Sequence, residues 1–285
     1  MSHVDHFSYG LLTPVLAYVM SSIGCMLGLL LTARARATTG SHRTRWLIGA
    51  ALSIGGTGIW VMHFVAMMGF AVGGGQIRYD VPMTIGSAAL AVVVVGAGLL
   101  LVSRGGERIL PLLGGGVLTG LGVAGMHYIG MFAMNMSARV SYDPTLVGLS
   151  VVIAIAAATV ALWFTLRVSG ALATGGAAMI MAIAVSGMHY VGMFAMEVQP
   201  QISLTPVAGA RGVDFMLPVL AVVSLLTLGL LLAVILSPSA KELEDDAALM
   251  AQLETRRGAG EQPLAPAAPA AETPRRPSLF DSNDG

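Results

Sequence analysis

Three histidines, His63, His127 and His189, are each followed four residues later by a methionine: Met67, Met131 and Met193. Another methionine precedes each one: Met62, Met126 and Met188. Residues i and i+4 share a helix face, so each histidine and its following methionine are expected side by side. The preceding methionine is turned about 100° away and reaches the same site only from a flank. Neutral imidazole together with thioether suits a soft or borderline metal, above all copper. Thioethers favour Cu(I), and imidazoles accept both copper states. Calcium and magnesium want oxygen ligands, and zinc gains little from methionine. A bland reading stands beside this one. Methionine fills apolar cores and packs on aromatics, and a duplicated structural histidine would also recur. Ionisable residues in apolar spans are nonetheless rare and usually functional.

The surrounding residues repeat as well. GMHYIGMFAM occupies 125–134 and GMHYVGMFAM 187–196, differing at Ile129 against Val191, and a looser VMHFVAMMGF occupies 61–70. A methionine lies seven positions after two of the histidines (Met134, Met196), and Phe70 after the first. Tyr128 and Tyr190 follow two histidines, with Phe64 in the first copy, so the three sites are not chemically equivalent. A buried phenol needs a partner, so these tyrosines are either hydrogen-bonded supports of a ligand or interfacial anchors. Small residues recur five and seven positions before each histidine (Gly58 and Gly56, Gly122 and Gly120, Ala184 and Ala182), where they let helix backbones approach. Each motif leads into a loop with an arginine and then an aspartate: Arg78 and Asp80, Arg139 and Asp143, Arg211 and Asp214. The aspartates read as helix N-caps, with Pro82 and Pro144 in the first turn. His3 and His6 precede the first span, on a disordered terminus or as an extra ligand arm. Cys25 reads as core, and one cysteine excludes an internal disulfide.

The elements that must position these groups are membrane helices. The chain is 55% hydrophobic and 11% charged, against about 25% charged in soluble domains. Runs of about 20 apolar residues span a bilayer, and seven are expected near 11–33, 46–71, 83–102, 110–134, 145–166, 171–196 and 215–236. No cleavable signal is visible. The histidines are 64 and 62 residues apart, two spans per interval. The unit is therefore a helical hairpin used three times in parallel, plus a closing helix, in an all-α membrane protein. All three histidines are expected in the outer leaflet, roughly two turns below the surface. They sit at helix C-terminal ends, where the dipole favours a cation. Whether their helices meet is left open by the sequence.

Lysine and arginine set the expected orientation. Arg34, Arg36, Arg43, Arg45, Arg104, Arg108 and Arg167 fall on one side with the basic residues of the tail. That side is expected to be cytoplasmic in a cell membrane, with the N-terminus outside. The expected organisation is an extracytoplasmic N-terminus (1–10), a membrane domain (11–236), a charged cytoplasmic helix (237–257) and a disordered tail rich in Pro, Ala and Gly (258–285). The residues after the last span are too few for a catalytic output domain, so a signal is expected to leave through a cytoplasmic partner or through the tail helix.

MHYI, MHYV and the degenerate MHFV, with the flanking GM-FAM pattern and seven spans, resemble the MHYT domain over residues 8–237. The resemblance implies a bacterial integral-membrane sensor. It implies copper held near the outer face and, through copper, sensing of a diatomic gas (oxygen, carbon monoxide or nitric oxide). The residues it carries over are Met62, His63, Met126, His127, Tyr128, Met188, His189 and Tyr190. Threonine is absent from the fourth motif position in all three copies (Val65, Ile129, Val191).

Other classes remain in view. Copper transport would want more polar or methionine groups in the inner half of the bundle. Two histidines holding haem would make an electron-transfer protein, and histidines that only knit helices would make a structural subunit. Enzymatic hydrolysis is not expected: no nucleophile with a base, paired carboxylates or glycine loop with lysine is present. A net charge of zero gives no case for nucleic acid.

Overall fold

A computed structural model describes residues 4–73, 76–106, 108–200, 206–237 and 240–260. The chain divides after Ser237 into two units. In the first, seven helices are long and apolar enough to cross a membrane. In chain order they are α1 (Leu12–Arg36), α2 (Gly40–Met67), α3 (Val81–Gly105), α4 (Ile109–Phe132), α5 (Pro144–Arg167), α6 (Ala171–Phe194) and α7 (Gly212–Leu236). Strand segments at the motif end are β1 (Val4–Asp5), β2 (Ala71–Val72), β3 (Arg78–Tyr79), β4 (Met134–Asn135), β5 (Ala138–Tyr142), β6 (Met196–Pro200) and β7 (Ala210–Arg211). The second unit contributes α8 (Ala240–Gly260), which carries the expected charged helix three residues further than expected. The expected disordered tail beyond Gly260 lies outside the described residues.

The motif helices α2, α4 and α6 converge in the interior, and α1, α3 and α5 pack in the three clefts between them, α1 against both α2 and α6. Burial follows this arrangement. The most apolar window of α2 is 83% buried and that of α7 only 6%, because α7 packs from outside on α1 and α2. Four of the six small residues, Gly58, Gly120, Gly122 and Ala182, sit at close approaches, whereas Gly56 meets only Val92 at 4.0 Å and Ala184 is half-buried. A Cβ on Gly120 would run into the Ile155 backbone of α5, one on Gly122 into Val94 of α3, and one on Gly24 into the Gly58 backbone. Ala182 is fully buried. Within α2 the segment Leu52–Val61 is π-helical. Its i→i+5 bonding shifts the phase of the helix just before His63, and such segments are rare and concentrate at functional sites.

The threefold pattern continues in the strands. The strand after each motif pairs antiparallel with the strand that leads into an odd-numbered helix: β2 with β1, β4 with β3, β6 with β5. The amides of Ser8, Asp80 and Asp143 donate to the carbonyls of Gly69, Ala133 and Ala195, each at 2.8 Å. These carbonyls all lie six residues after a motif histidine. The N-terminal segment thus takes the place in the first repeat that the inter-helix loops take in the second and third. For His6 this replaces the reading of a disordered terminus. The pairing orders Val4–Asp5, and His6 packs on Phe70 and Phe194 with centroid separations of 5.4 and 4.8 Å. His3 lies outside the described residues.

Two of the three expected caps form. Asp80 accepts from the Met83 amide at 2.9 Å, and Asp143 from the Thr145 and Leu146 amides at 2.7 and 3.2 Å. Those bonds, Leu146 first, hold the Asp143 carboxyl below its ordinary range. Asp214 is no cap: it lies inside the first turn of α7, 3.8 Å from exposed Arg211. The motif helices also stop earlier than expected, at Met67, Phe132 and Phe194. Strand pairing takes over at once, so Met134 and Met196 sit on β4 and β6 rather than on a helix face. The histidines are consequently about one turn, not two, from their helix ends. The second span begins at Gly40, six residues earlier than expected, and takes Arg43 and Arg45 into its first turns.

Candidate metal centre

His63 from α2, His127 from α4 and His189 from α6 meet on the interior axis, each at most 1% exposed. Their Nδ1 atoms form a triangle with sides 2.9 Å (His63 to His189), 3.2 Å (His127 to His63) and 3.3 Å (His189 to His127). The rings stand steeply to one another, at 70°, 82° and 90° with centroids 4.9, 4.9 and 5.1 Å apart, like propeller blades. The convergence that the sequence left open is therefore present.

The packing that makes this triangle uses residues the sequence analysis did not single out. A Cβ on Gly130 of α4 would overlap His63 Nε2, and one on Gly192 of α6 would overlap His127 Nε2. Each of these rings therefore lies against the next motif helix at a glycine three residues after that helix's own histidine. The corresponding first-copy residue is Ala66. The signal was present in the sequence as a third same-face small position, Ala66, Gly130 and Gly192, recurring with the histidines.

The triangle is electrostatically incomplete. A hydrogen bond needs one donor and one acceptor, and a neutral imidazole carries one N–H. Three nitrogens facing a common point cannot all be satisfied by each other. Turning every N–H outward leaves three lone pairs converging. The Nε2 atoms of all three rings are buried and have no hydrogen-bond partner among the described residues. Buried polar groups in native proteins are nearly always paired. A cation at the centre resolves the Nδ1 side. From sides of 2.9, 3.2 and 3.3 Å the centre lies about 1.8 Å from each nitrogen, slightly inside the roughly 2.0 Å of metal–imidazole bonds. The three histidines are also the cluster of candidate metal-ligating side chains among the described residues.

The six motif methionines are buried too: Met62, Met126, Met67, Met131, Met188 and Met193 are all at most 3% exposed. Met67 lines an opening on the strand side with Tyr9, Phe70 and Tyr79. Met188 lines a cavity on the opposite side. Tyr128 turns its hydroxyl to Ser150 of α5, at 2.7 Å, with its ring 4.9 Å from the His127 ring. Tyr190 has a buried hydroxyl with no partner among the described residues. The three motif aromatics each meet one ring from the strand layer: Phe64 with Tyr79 at 5.8 Å, Tyr128 with Tyr142 at 6.0 Å, and Tyr190 with Phe7 at 5.7 Å. Burial, and secondarily Tyr128, pushes the Tyr142 phenol up to about 12. In the first copy, which lacks the phenol, Ser87 of α3 accepts from Trp60 Nε1 at 3.0 Å instead. Cys25 is fully buried core, as expected. It lines the same cavity as Met188.

A family model described as the MHYT bacterial signalling protein N-terminal repeat matches three segments, residues 56–115, 120–178 and 183–243. The chain is 36% identical over 212 residues to the bifunctional diguanylate cyclase/cyclic di-GMP phosphodiesterase MucR of Pseudomonas aeruginosa, covering 73% of this chain and 30% of that protein. It is 35% identical over 203 residues to the signaling protein YkoW of Bacillus subtilis, covering 67% of this chain and 24% of that protein. It is 37% identical over 162 residues to the cyclic di-GMP phosphodiesterase NbdA of Pseudomonas aeruginosa, covering 55% and 20%. The matched region thus spans less than a third of the length of these relatives. No solved structure matches the chain.

Proposed function

This chain belongs to the MHYT family of bacterial signalling repeats, and we propose that it is a membrane sensor holding copper at His63, His127 and His189. The observation that carries the reading is the Nδ1 triangle, with three donors converging in a buried interior and no other group among the described residues to complete them. Imidazole donors beside buried thioethers favour copper over harder ions. Met62, Met67, Met126, Met131, Met188 and Met193 would offer the ion thioether donors, and Tyr128 and Tyr190 would brace the histidine helices. Copper held there would supply the affinity for a diatomic gas such as oxygen, carbon monoxide or nitric oxide. The chain's own part is to hold the Nδ1 atoms of three neutral imidazoles around one point in its buried interior.

The spacing also favours a bare ion over haem, whose ring would have to part imidazoles that here touch. The basic residues of the opposite helix ends support a cytoplasmic location for that end and an outward location for the motif end. A gas-induced shift of α2, α4 or α6 would pass to a cytoplasmic signalling partner, with α8 as its nearest charged helix in sequence. The chain acts in this reading as a binding module, not an enzyme. The test is metal analysis with an optical spectrum on protein from copper-replete membranes, beside a variant with all three histidines changed to alanine. About one copper per chain, lost in the variant, supports the reading. Equal metal in both samples, or none in either after reconstitution, overturns it. A haem spectrum would reassign the protein to electron transfer.

A further inference from the structure

Among the motif helices, one turn from the triangle on the side away from the strands, lies a cavity of about 40 Å³. Ile59, Val123 and Val185 line it, each four residues before a motif histidine, and so on the order of 6 Å below the imidazoles. Met188, adjacent to His189, lines it as well. Deeper walls come from Val95 and Leu99 of α3 and from Ala154, Ala158 and Leu162 of α5. Its two hydroxyls are turned away onto backbone carbonyls: Thr119 to Val94 at 3.3 Å and Thr165 to Leu162 at 2.6 Å. Nothing in the lining therefore offers water the two to four partners it needs, and apolar cavities of this kind stay dry and take up apolar guests.

A second feature gives the cavity a way in. A groove on the lipid-facing side of α5 and α6 is lined by Ile153, Ala156, Val160, Ile180 and Ala184, and by Ala157 and Met181. The last two also line the cavity. Ala157 and Met181 are the lining residues the two spaces share, and methionine side chains adapt at little cost. A solute reaching this neck comes from hydrocarbon, not from water.

We propose that this cavity is a docking site for a small apolar gas molecule, entered from the bilayer past Ala157 and Met181 and ending beside the histidine triangle. The size excludes a lipid chain and admits one diatomic molecule, for which a water needs on the order of 10–15 Å³ as a comparison. Uncharged diatomic gases make no hydrogen-bond demand and concentrate in hydrocarbon, so this lining and this entrance fit them. The inference deepens the sensor reading and rests on it for its meaning, though the cavity stands without metal.

Xenon tests the cavity directly. Xenon-129 NMR on the intact chain in lipid nanodiscs should give a saturable bound shift, with or without copper. Ala158→Leu should abolish it, and Leu162→Ala, which widens the same space, should strengthen it. Ala157→Phe at the neck should slow carbon monoxide rebinding to copper-loaded protein several-fold after photolysis, at unchanged copper content. Absence of saturable xenon in the unaltered chain overturns the proposal, as does xenon retained equally in Ala158→Leu. The same lining carries sulfur on Cys25, Met181 and Met188. Silver ion held there in the absence of xenon binding would make it a metal path instead, and also overturn it. Xenon binding in a chain that loads no copper leaves the cavity standing and removes the sensor reading. Copper without xenon does the reverse.

Discussion

His63 Nδ1 lies 2.9 Å from His189 Nδ1 although 126 residues separate them. Apart from His127 Nδ1, at 3.2 and 3.3 Å, neither ring has another polar partner among the described residues, so each nitrogen's role depends on what occupies the point between the three. If that is a metal, His189→Ala removes one of three donors and opens a buried void. Loss of a group that only hydrogen-bonds a ligand typically weakens metal affinity about 10–100-fold. His189→Ala should lose at least that much, read by competition with a chromophoric Cu(I) chelator. Copper should also raise the thermal midpoint of the unaltered chain, since a ligand at about 100 times its dissociation constant stabilises by roughly 2.7 kcal/mol. A midpoint that ignores copper would leave the three imidazoles as helix packing.

Gly130 and Gly192 give a test that leaves every donor in place. Gly130→Ala puts a methyl where His63 Nε2 lies, and overpacking of this kind costs about 1–3 kcal/mol. The ring must rotate or α4 must retreat, and either distorts the triangle. The expected result is weaker copper binding with a lowered unfolding midpoint. Gly148→Ala on α5, where a Cβ meets nothing within 4 Å, should be silent in both measurements. Equal copper affinity in Gly130→Ala and Gly148→Ala would show that ring position does not matter to the ion.

These glycines mark how far the sequence could be read. The seven spans were legible because a bilayer imposes length and hydropathy on a single segment at a time. The repeat was legible because duplicated words survive in the text. Convergence of His63, His127 and His189 was not, because an i, i+4 pattern fixes which residues share a face but not which face meets another helix. His6 was misjudged for a related reason: β1 is two residues long and carries no local signal. Its partner β2 lies more than sixty residues away. Met134 and Met196 were put on helices because apolarity continues past Phe132 and Phe194 while the backbone changes to strand.

Tyr128 separates a bracing role from a ligating one. Its hydroxyl joins Ser150 at 2.7 Å, a bond whose net value is about 1 kcal/mol. Tyr128→Phe and Ser150→Ala should each lower stability by about that amount, and the double variant by less than their sum, because the two groups share one interaction. Copper stoichiometry should stay near that of the unaltered chain in all three. Strictly additive losses in thermal unfolding, or loss of the metal in Tyr128→Phe, would contradict a brace.

His6 sets a pH window for the strand layer. Burial lowers its pKa below the ordinary 6.5, and Asp5 opposes this in part. The docked segment therefore favours the neutral ring, and the undocked segment binds the proton more readily. Docking stability from this group is fully present above pH 6.5 and declines as pH falls through and below that value toward the lowered docked pKa. The ring is partly solvent-facing, so the effect is screened and local. Its readout is the Ser8 amide, which donates to the Gly69 carbonyl at 2.8 Å and becomes exchangeable when the segment lifts. After correction for intrinsic exchange, protection of Ser8 should fall between pH 7 and pH 5 in the unaltered chain. In His6→Phe, which keeps an aromatic against Phe70 and Phe194 but cannot take a proton, protection should stay level over the same range. Parallel profiles for the two chains would assign the pH response to another group and leave His6 as packing alone.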